Sequence, residues 1–382
     1  MNFTKGMYWR FFALLFSLTT VFLVGMGIGH YHLPPYEILR KHFRWLTILP
    51  FKDKFSRQPP EIQGIDYAQF LHVKSITDVH ELRNRLVKFI WSNKGFPTQI
   101  EGTEAKPPVF EVPFLIRPEH EIVRLDVEME FGFNSLVYYF RPRYPNGKLV
   151  ILQQGHAAER AHDERVVDYF LSRGFDVAHI DMLLQNGNSR PIVETVGIGK
   201  VRYRKHDQLK YLESTTFNPL QLFFDPIAAT INYATRKHKP KSIALVGLSG
   251  GGWITSVYAA LDTRVLQSFP VAGTAPLAHR FALPATHWGD YEQTHPGLNS
   301  MASELDMYVM ASVGEGRSQK QIFNVFDPCC FSGRAAMAYE RSVQTVVKNI
   351  GLGRFDIWMD DSTFEHEISE SALHKINQAL TP

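Results

Sequence analysis

The sequence has few cysteines and no marked excess of either charge. Its 382 residues include two cysteines, the adjacent pair Cys329 and Cys330, and 41 Lys and Arg against 38 Asp and Glu give a formal net charge of +3. Neighbouring Cα atoms lie about 3.8 Å apart, below the usual disulfide span, so we expect no framework disulfide and two packed, reduced side chains. Without a basic stripe, the chain is not expected to bind nucleic acid.

Other common signatures are also missing. The sequence has no Gly-rich phosphate loop, no dinucleotide-binding fingerprint, no internal repeat and no low-complexity tract. His279, His287 and His295 are spaced by eight residues, which matches no compact metal-ligand pattern on a helix or strand. We therefore expect neither a metal nor a cofactor.

One long apolar run stands near the N-terminus. Residues 11–29 carry no charge and follow Lys5 and Arg10, which predicts a single-pass membrane helix within an N-terminal anchor of residues 1–29. A cleaved signal peptide is the alternative. Residues 30–64, rich in proline and cations, are predicted to be a stalk, and 65–382 a globular domain on the non-cytoplasmic side of the bilayer.

Strand-like and helix-like segments alternate through most of that domain, which favours a doubly wound α/β fold with a mostly parallel sheet. Asp225-Pro226 predicts the start of one helix, because proline suits the first helical turn. The predicted strands are 122–129, 135–140, 148–153, 176–180, 242–246, 265–272, 321–326 and 355–359, and the predicted helices include 78–91, 225–237, 250–260 and 334–348.

An insertion of about residues 276–320 interrupts the alternation. It is too long for an ordinary connection and is rich in aromatic residues and methionine, so we expect a lid or cap over the active site. Trp288 and Tyr291 are predicted to line a substrate pocket. Alternatively, these two residues are core residues that anchor the insertion to the domain.

A serine stands at a sharp strand-to-helix corner with glycine on both sides. The sequence Gly247-Leu248-Ser249-Gly250-Gly251 follows an apolar, β-branched run. This pattern is typical of a nucleophile elbow, in which the serine adopts a strained backbone and the glycines let strand and helix approach each other. Ser249 is the predicted nucleophile, and a Gly-rich turn without chemistry is the alternative.

A serine nucleophile needs a base and an orienting carboxylate, which follow it in the order acid, then histidine. His366 lies on a loop after the last predicted strand and is the predicted base, against a solvated surface histidine. Asp327 closes the preceding strand and is the predicted acid, against a simple Asp-Pro turn. Asp360 and Asp361, at the end of the next strand, are its rivals.

The oxyanion of the reaction needs backbone donors. Gly250 offers the N–H at the start of the elbow helix, and His156, in the loop Gln154-Gly155-His156 after the first parallel strand, offers a second. Alternatively, Gly155 is only a turn residue.

These features, taken together, resemble the α/β-hydrolase superfamily. The oxyanion loop, the Ser249 elbow, Asp327 and His366 occur in the superfamily's order, and the resemblance covers roughly residues 110–380. Gln154-Gly155-His156 departs from the HG-type oxyanion sequences common there, which leaves the identity of the second donor open.

The resemblance, which is to esterase- and serine-peptidase-like members, implies a serine hydrolase, and the apolar run at 11–29 predicts that it is membrane-anchored. The expected substrate is a small carboxylic ester or acyl compound, cleaved through an acyl-enzyme. A serine peptidase or an acyltransferase would use the same residues, and a non-catalytic binding protein on the same fold is the alternative from another class.

Overall fold

The computed structural model describes residue 55 and residues 57–107, 120–156, 160–283 and 289–381. In chain order the strands there are β1 (Thr103–Ala105), β2 (Glu121–Glu128), β3 (Asn134–Arg141), β4 (Lys148–Gln153), β5 (Asp176–Ile180), β6 (Ile192–Thr195), β7 (Gly199–Arg202), β8 (Ser242–Leu248), β9 (Val265–Val271), β10 (Ser318–Asn324) and β11 (Arg354–Asp360).

Nine of these strands form one sheet in the order β1-β2-β3-β5-β4-β8-β9-β10-β11, and β6 pairs with β7 in a separate hairpin. Strands β5, β4, β8, β9, β10 and β11 are parallel, and β1 to β3 extend the sheet antiparallel at one side. The chain leaves β4 towards β5 and returns to β8 on the other side of β4. This reversal of strand order opens a crevice at the carboxyl ends of β4 and β8, where ligands bind in such sheets.

Helices cover both faces of the sheet. In chain order they are α1 (Ile76–Trp91), α2 (Arg160–Leu171), α3 (Gln221–Lys237), α4 (Gly250–Leu261), α5 (Leu277–Ala282), α6 (Pro296–Met301), α7 (Glu304–Ser312), α8 (Met337–Ile350) and α9 (Glu370–Leu380). Side chains of β4 alternate between two buried clusters: Leu149 and Ile151 join the cluster under α1, α3, α4, α7 and α8, and Val150 and Leu152 join the one under α2 and α9.

The last helix is fastened to the sheet. Lys148 Nζ, at the start of β4, donates to the carbonyl of Leu380, and Gln267 Nε2, in β9, donates to the carbonyl of Ala379 at 2.9 Å. These bonds join the end of α9 to two parallel strands, so the C-terminal helix is an integral part of the domain.

Two sequence expectations about helix starts need correction. Helix α3 begins at Gln221, so Pro226 lies inside it and does not open it. The apolar residues before Asp225 pack into the core, which extends the helix towards the N-terminus. Helix α1 begins at Ile76, two residues before the predicted start at residue 78, and is capped by Ser75 in a capping box with Asp78.

The expectation for the two cysteines is also wrong. Cys329 is exposed and Cys330 half-buried, and their Sγ atoms are paired as a vicinal disulfide. Pro328 and the two cysteines follow β10 in an exposed turn, so the pair does not lie in the core.

The insertion predicted at 276–320 has a mixed character. Helix α7 is fully buried and packs on α4 and α8, and β10 already begins at Ser318. Arg317 is buried too, and its guanidinium donates to the carbonyls of Met310 and Val313 at 3.0 and 3.1 Å. The stretch from α7 onward is therefore domain core, and for the part before α7 the role of a lid stays a prediction.

The predicted anchor at residues 11–29 lies outside the described residues. No helix in the described ranges combines the length and apolar character that a bilayer span requires.

Candidate active site

Ser249 sits at the corner between β8 and α4 in a strained backbone conformation. Its φ of 57° and ψ of −127° fall where residues other than glycine rarely occur, at a cost on the order of 1–3 kcal/mol. Its N–H donates to the carbonyl of Val271 at 2.9 Å, and its own carbonyl accepts from Gly252 N–H at 2.8 Å. The fold therefore holds this strained turn through the backbone of β9 and α4.

The flanking glycines are required by close packing. A Cβ on Gly247 would collide with the carbonyl of Gly251, and a Cβ on Gly251 would collide with the carbonyl of Gln153 at the end of β4. Strand β8, helix α4 and strand β4 thus meet with no room for side chains at these two positions.

Asp327 and His366 form a direct pair. His366 Nδ1–H donates to Asp327 Oδ2 at 2.7 Å, and Asp327 is 4% exposed. The other carboxylate oxygen, Oδ1, accepts from the backbone N–H groups of Cys329 and Cys330 at 2.8 and 3.1 Å. Three donors thus fix the plane in which the carboxylate meets the imidazole. Strand β10 ends at Asn324, so Asp327 lies in the turn after the strand.

The rival carboxylates face elsewhere. Asp360 is fully buried, and its Oδ1 accepts from the backbone and hydroxyl of Ser362 at 3.0 and 2.6 Å. Its Oδ2 accepts from the hydroxyl of Ser369, which caps α9. Asp361 is exposed. Asp360 therefore joins the turn after β11 to the start of α9, and Asp327 is the carboxylate bonded to His366.

The second ring nitrogen of His366 is buried and unpaired. His366 Nε2 has no hydrogen-bond partner among the described residues, so it is not bonded to the hydroxyl of Ser249. Because Nδ1 carries the proton given to Asp327, Nε2 carries the lone pair. A buried nitrogen with a free lone pair is suited to take a proton from a hydroxyl, and such bonds are often open before substrate binds.

The loop that carries His366 is held on both sides by residues that the sequence reasoning did not single out. Asn324 Nδ2, at the end of β10, donates to the carbonyls of Glu365 and Glu367 at 3.2 and 2.8 Å. His162 Nε2 accepts from Ile368 N–H at 2.9 Å. The sequence signal that could have identified Asn324 is its position as a polar residue at the end of an otherwise buried strand. No local pattern marks His162.

The predicted oxyanion loop lies against the elbow. A Cβ on Gly155 would come within 2.7 Å of Ser249 Cβ and 3.2 Å of Gly250 N, so only glycine allows this approach. A Cβ on Gly250 would come within 2.8 Å of His156 Nδ1, which places the His156 ring directly over the start of α4. Gly250 N–H belongs to the first helical turn, where no intrahelical acceptor exists.

The His156 ring also contacts a cluster of titratable side chains. Its Nε2 lies 2.9 Å from Asp290 Oδ2 and 3.1 Å from His206 Nδ1, and His206 Nδ1 lies 3.0 Å from Glu292 Oε2. Burial opposes a charge on His206, but Glu292, the carbonyl of Leu183 and Asp290 outweigh it and raise the pKa of His206 to about 9. These residues come from three distant segments, so linear spacing could not reveal the cluster.

The other residues singled out in the insertion make hydrogen bonds and ring contacts where the structure describes them. The hydroxyl of Tyr291 donates to Glu213 Oε1 at 2.6 Å, and its ring packs edge-on against His295. Burial and the Arg280 guanidinium lower the pKa of His279 to about 4, so this ring is neutral near pH 7. Trp288 and His287 lie outside the described residues. The role of Trp288 and Tyr291 as pocket residues stays a prediction.

The chain is similar in fold to solved esterase structures at low sequence identity. An acetyl xylan esterase from Paenibacillus sp. R4 superposes with a TM-score of 0.53 at 14% identity, over 84% of this chain and 99% of that one. Acetyl xylan esterase 1 from Thermoanaerobacterium sp. JW/SL YS485 gives 0.51 at 14% identity, over 85% and 98%. Methylesterase BT1017 gives 0.52 at 14% identity, over 87% of this chain and 66% of that one.

No protein-family model matches the chain, and no curated protein matches it. At 14% identity the structural likeness establishes the fold and leaves the chemistry to the site residues.

Proposed function

Because the chain has the α/β-hydrolase fold of serine esterases, we propose that it is a serine hydrolase that cleaves carboxylic esters. The observation that carries the proposal is the His366 ring, bonded to buried Asp327 at 2.7 Å with its other nitrogen buried and unpaired. Ser249 supplies the nucleophile from a strained turn at the same edge of the sheet.

The proposed reaction follows from these positions. Ser249 Oγ attacks the ester carbonyl carbon while His366 Nε2 accepts the hydroxyl proton. The tetrahedral intermediate then expels the alcohol, which takes that proton from His366 and leaves an acyl-enzyme. Water attacks the acyl-enzyme with His366 as base, and the acid and free Ser249 are released. Asp327 remains ionised throughout and holds the imidazole tautomer.

The negative charge on the carbonyl oxygen is proposed to rest on the N–H groups of Gly250 and His156. The contact of Gly155 with Ser249 and Gly250 supports this arrangement, because the loop that carries His156 packs against the elbow. Each such donor lowers the barrier by about 3 kcal/mol in comparable sites.

The choice of ester over amide or acyl transfer draws support from the similar folds, which are those of acetyl xylan esterases and a methylesterase. A serine peptidase or acyltransferase would retain the same residues. We further propose that residues 11–29 anchor the protein in a membrane with the hydrolase domain, residues 65–382, on the non-cytoplasmic side, and that the insertion before α7 covers the crevice. Under this proposal the partners are the bilayer and a small ester or acyl substrate, and no cofactor takes part.

The test compares Ser249→Ala with Ser256→Ala, a buried serine two turns further along α4 whose hydroxyl donates to the carbonyl of Gly252. Wild type and Ser256→Ala should react with a fluorophosphonate probe and hydrolyse p-nitrophenyl acetate. Ser249→Ala should do neither, with a loss of about 10⁶ in kcat by analogy with the best-studied triad enzyme. Labelling or turnover retained by folded Ser249→Ala would refute the proposal. Faster cleavage of peptides than of esters would indicate a serine peptidase, and acyl transfer to an added acceptor in preference to water would indicate an acyltransferase.

A further inference from the structure

We propose that His156, His206, Asp290 and Glu292 form a binding site for one divalent transition-metal ion, with Zn²⁺ the best match to its donor set. Below, these four residues are called the four-ligand cluster. The inference stands independently of the proposed ester hydrolysis, because it concerns metal binding and a role for the metal in positioning a loop.

The donor atoms have the spacing of a tetrahedral shell. From His156 Nε2 the distances are 2.9 Å to Asp290 Oδ2, 3.1 Å to His206 Nδ1 and 3.8 Å to Glu292 Oε1, and His206 Nδ1 lies 3.0 Å from Glu292 Oε2. All four residues offer a ligand atom within 4.8 Å of the others. Bonds of about 2.0–2.2 Å in a tetrahedron place ligands roughly 3.3–3.5 Å apart, in the middle of these values.

The hydrogen bond on the far side of His206 points to the same conclusion. His206 Nε2–H donates to the carbonyl of Leu183 at 3.0 Å, so in the neutral ring the lone pair is on Nδ1, which faces the cluster. Histidine ligands of metals nearly always donate their other ring N–H to a carbonyl, carboxylate or water, which sets the tautomer in this way.

Charge and burial favour a cation here. Glu292 is fully buried and His206 is 5% exposed, while Asp290 and His156 are half-buried at the open side. Metal binding requires both imidazoles in their neutral form, and the two carboxylates then balance the two charges of one divalent ion. Nitrogen and oxygen donors in tetrahedral arrangement suit Zn²⁺, whereas Ca²⁺ and Mg²⁺ prefer six or more oxygens.

The cluster joins three segments around the elbow. His156 belongs to the oxyanion loop, His206 begins a short 3₁₀ helix at His206–Leu212, and Asp290 and Glu292 belong to the insertion before α6. A bound ion would therefore fasten the insertion to the loop whose Gly155 packs on Ser249. Its role would be to hold the oxyanion loop, with the ion acting as a structural link.

Two other groups of candidate ligands occur in the described ranges, and the test has to exclude them. The first is Cys329, Cys330 and His366, and the second is Asp163, His179 and Asp181. In the first, the two sulfurs are bonded to each other. In the second, both oxygens of Asp163 already accept hydrogen bonds from His179, His162 and Gln154.

The experiment uses the full-length chain in detergent, stripped with a chelator and titrated with Zn²⁺ by calorimetry, with bound metal counted by mass spectrometry. We expect one ion per wild-type chain, a rise in Tm that grows with Zn²⁺ concentration, and the visible absorption of tetrahedral cobalt when Co²⁺ replaces Zn²⁺. Asp290→Asn, at a half-buried position, should fold and bind Zn²⁺ at least about 10-fold more weakly, and Glu292→Gln more weakly still.

The matched controls are Asp181→Asn and the double variant Cys329→Ser/Cys330→Ser, each of which removes a ligand of another group. Both should bind one ion with unchanged affinity. The proposal is overturned if wild type binds no stoichiometric Zn²⁺, or if Asp290→Asn and Glu292→Gln bind it as wild type does. Labelling of Ser249 by the fluorophosphonate probe is measured on the same samples, so that failure of the metal proposal can be distinguished from failure of the hydrolase proposal.

Discussion

At the scale of single residues, Asp327 is held by more than its partner histidine. Its two carboxylate oxygens accept from three donors, two of them backbone N–H groups that no side-chain substitution removes. The carboxylate geometry is therefore set by the turn after β10, and the identity of the side chain decides only whether it accepts or donates towards His366.

Asp327→Asn tests that point. The amide can keep its oxygen on the two backbone donors, and its NH₂ then faces His366 Nδ1, which favours the wrong imidazole tautomer. We expect a native melting curve and a loss of kcat on the order of 10⁴. The control is Asp360→Asn, which should lower Tm by weakening the bonds from Ser362 and Ser369 while kcat of the folded enzyme falls far less. The reverse ranking would move the acid to β11.

Asp225 provides a pH prediction away from the active site. Burial raises its pKa to about 7 although Trp91 Nε1 donates to it at 2.8 Å. Between about pH 4 and pH 7 the folded chain holds a proton that the unfolded chain has lost, so this group's contribution to stability falls as pH rises through that window.

We expect Asp225→Asn to be more stable than wild type by at most about 4 kcal/mol at pH 8 and by only about 1.6 kcal/mol at pH 5. Denaturant unfolding at the two pH values measures the difference. Asp207→Asn, on the surface, is the control. An advantage of equal size at both pH values would show that Asp225 does not titrate in this window.

At the scale of elements, β10 holds the loop of His366, the proposed base, as well as leading into the turn of Asp327, the proposed acid. Asn324 ends the strand with its amide on the carbonyls of Glu365 and Glu367, which flank His366. Gln321, on the same strand and equally buried, instead accepts from the hydroxyl of Tyr339 on α8.

Asn324→Ala should therefore lower kcat by roughly 10- to 100-fold through misplacement of His366. Gln321→Ala should leave kcat close to wild type. Both should lower Tm by a few degrees, since each leaves a buried group unpaired. Esterase kinetics beside thermal melts separate the two effects, and equal kcat values for the two variants would mean that Asn324 serves only stability.

The elements also show what the sequence could predict. Every strand predicted from residue 122 onward exists in the structure within three residues of its predicted ends, because apolar β-branched runs are a local signal. The start of α3 was missed because Pro226 suggested a cap, whereas burial of the turn before it extends the helix.

The site residues show the same difference between local sequence signals and contacts made between distant segments. A short motif and a fixed chain order marked Ser249, Asp327 and His366 in the sequence. The structure joins Asp327 to His366, and the catalytic roles of the three residues stay a prediction. The four-ligand cluster and His162 arise from contacts between segments far apart in the chain, which no window of sequence contains. The cysteine pair was judged from its Cα spacing alone, and that spacing says nothing of its exposure or of vicinal bonding.

At the scale of the whole molecule, the N-terminal run gives a prediction about location. Residues from Lys54 onward form one compact unit, in which Ile62 is buried and Phe55 packs edge-on against Phe326. A shortened chain should therefore begin at Lys54, since one beginning at Ile65 would remove both contacts.

We expect the full-length chain to sediment with membranes and to resist carbonate extraction, because 19 uncharged residues suffice to span a bilayer. The chain that begins at Lys54 should remain in the supernatant with kcat unchanged. Recovery of a shortened, soluble product from cells that express the full-length gene would instead identify residues 11–29 as a cleaved signal peptide.

The attachment of α9 to β4 and β9 has a consequence for how the protein is made. The bond from Lys148 to Leu380 joins positions 232 residues apart, and the loop carrying His366 lies just before the helix that this bond secures. During synthesis, Ser249 and the oxyanion loop emerge from the ribosome well before His366 and α9. Under the proposed mechanism, a growing chain that has not yet reached His366 therefore holds the nucleophile without its base.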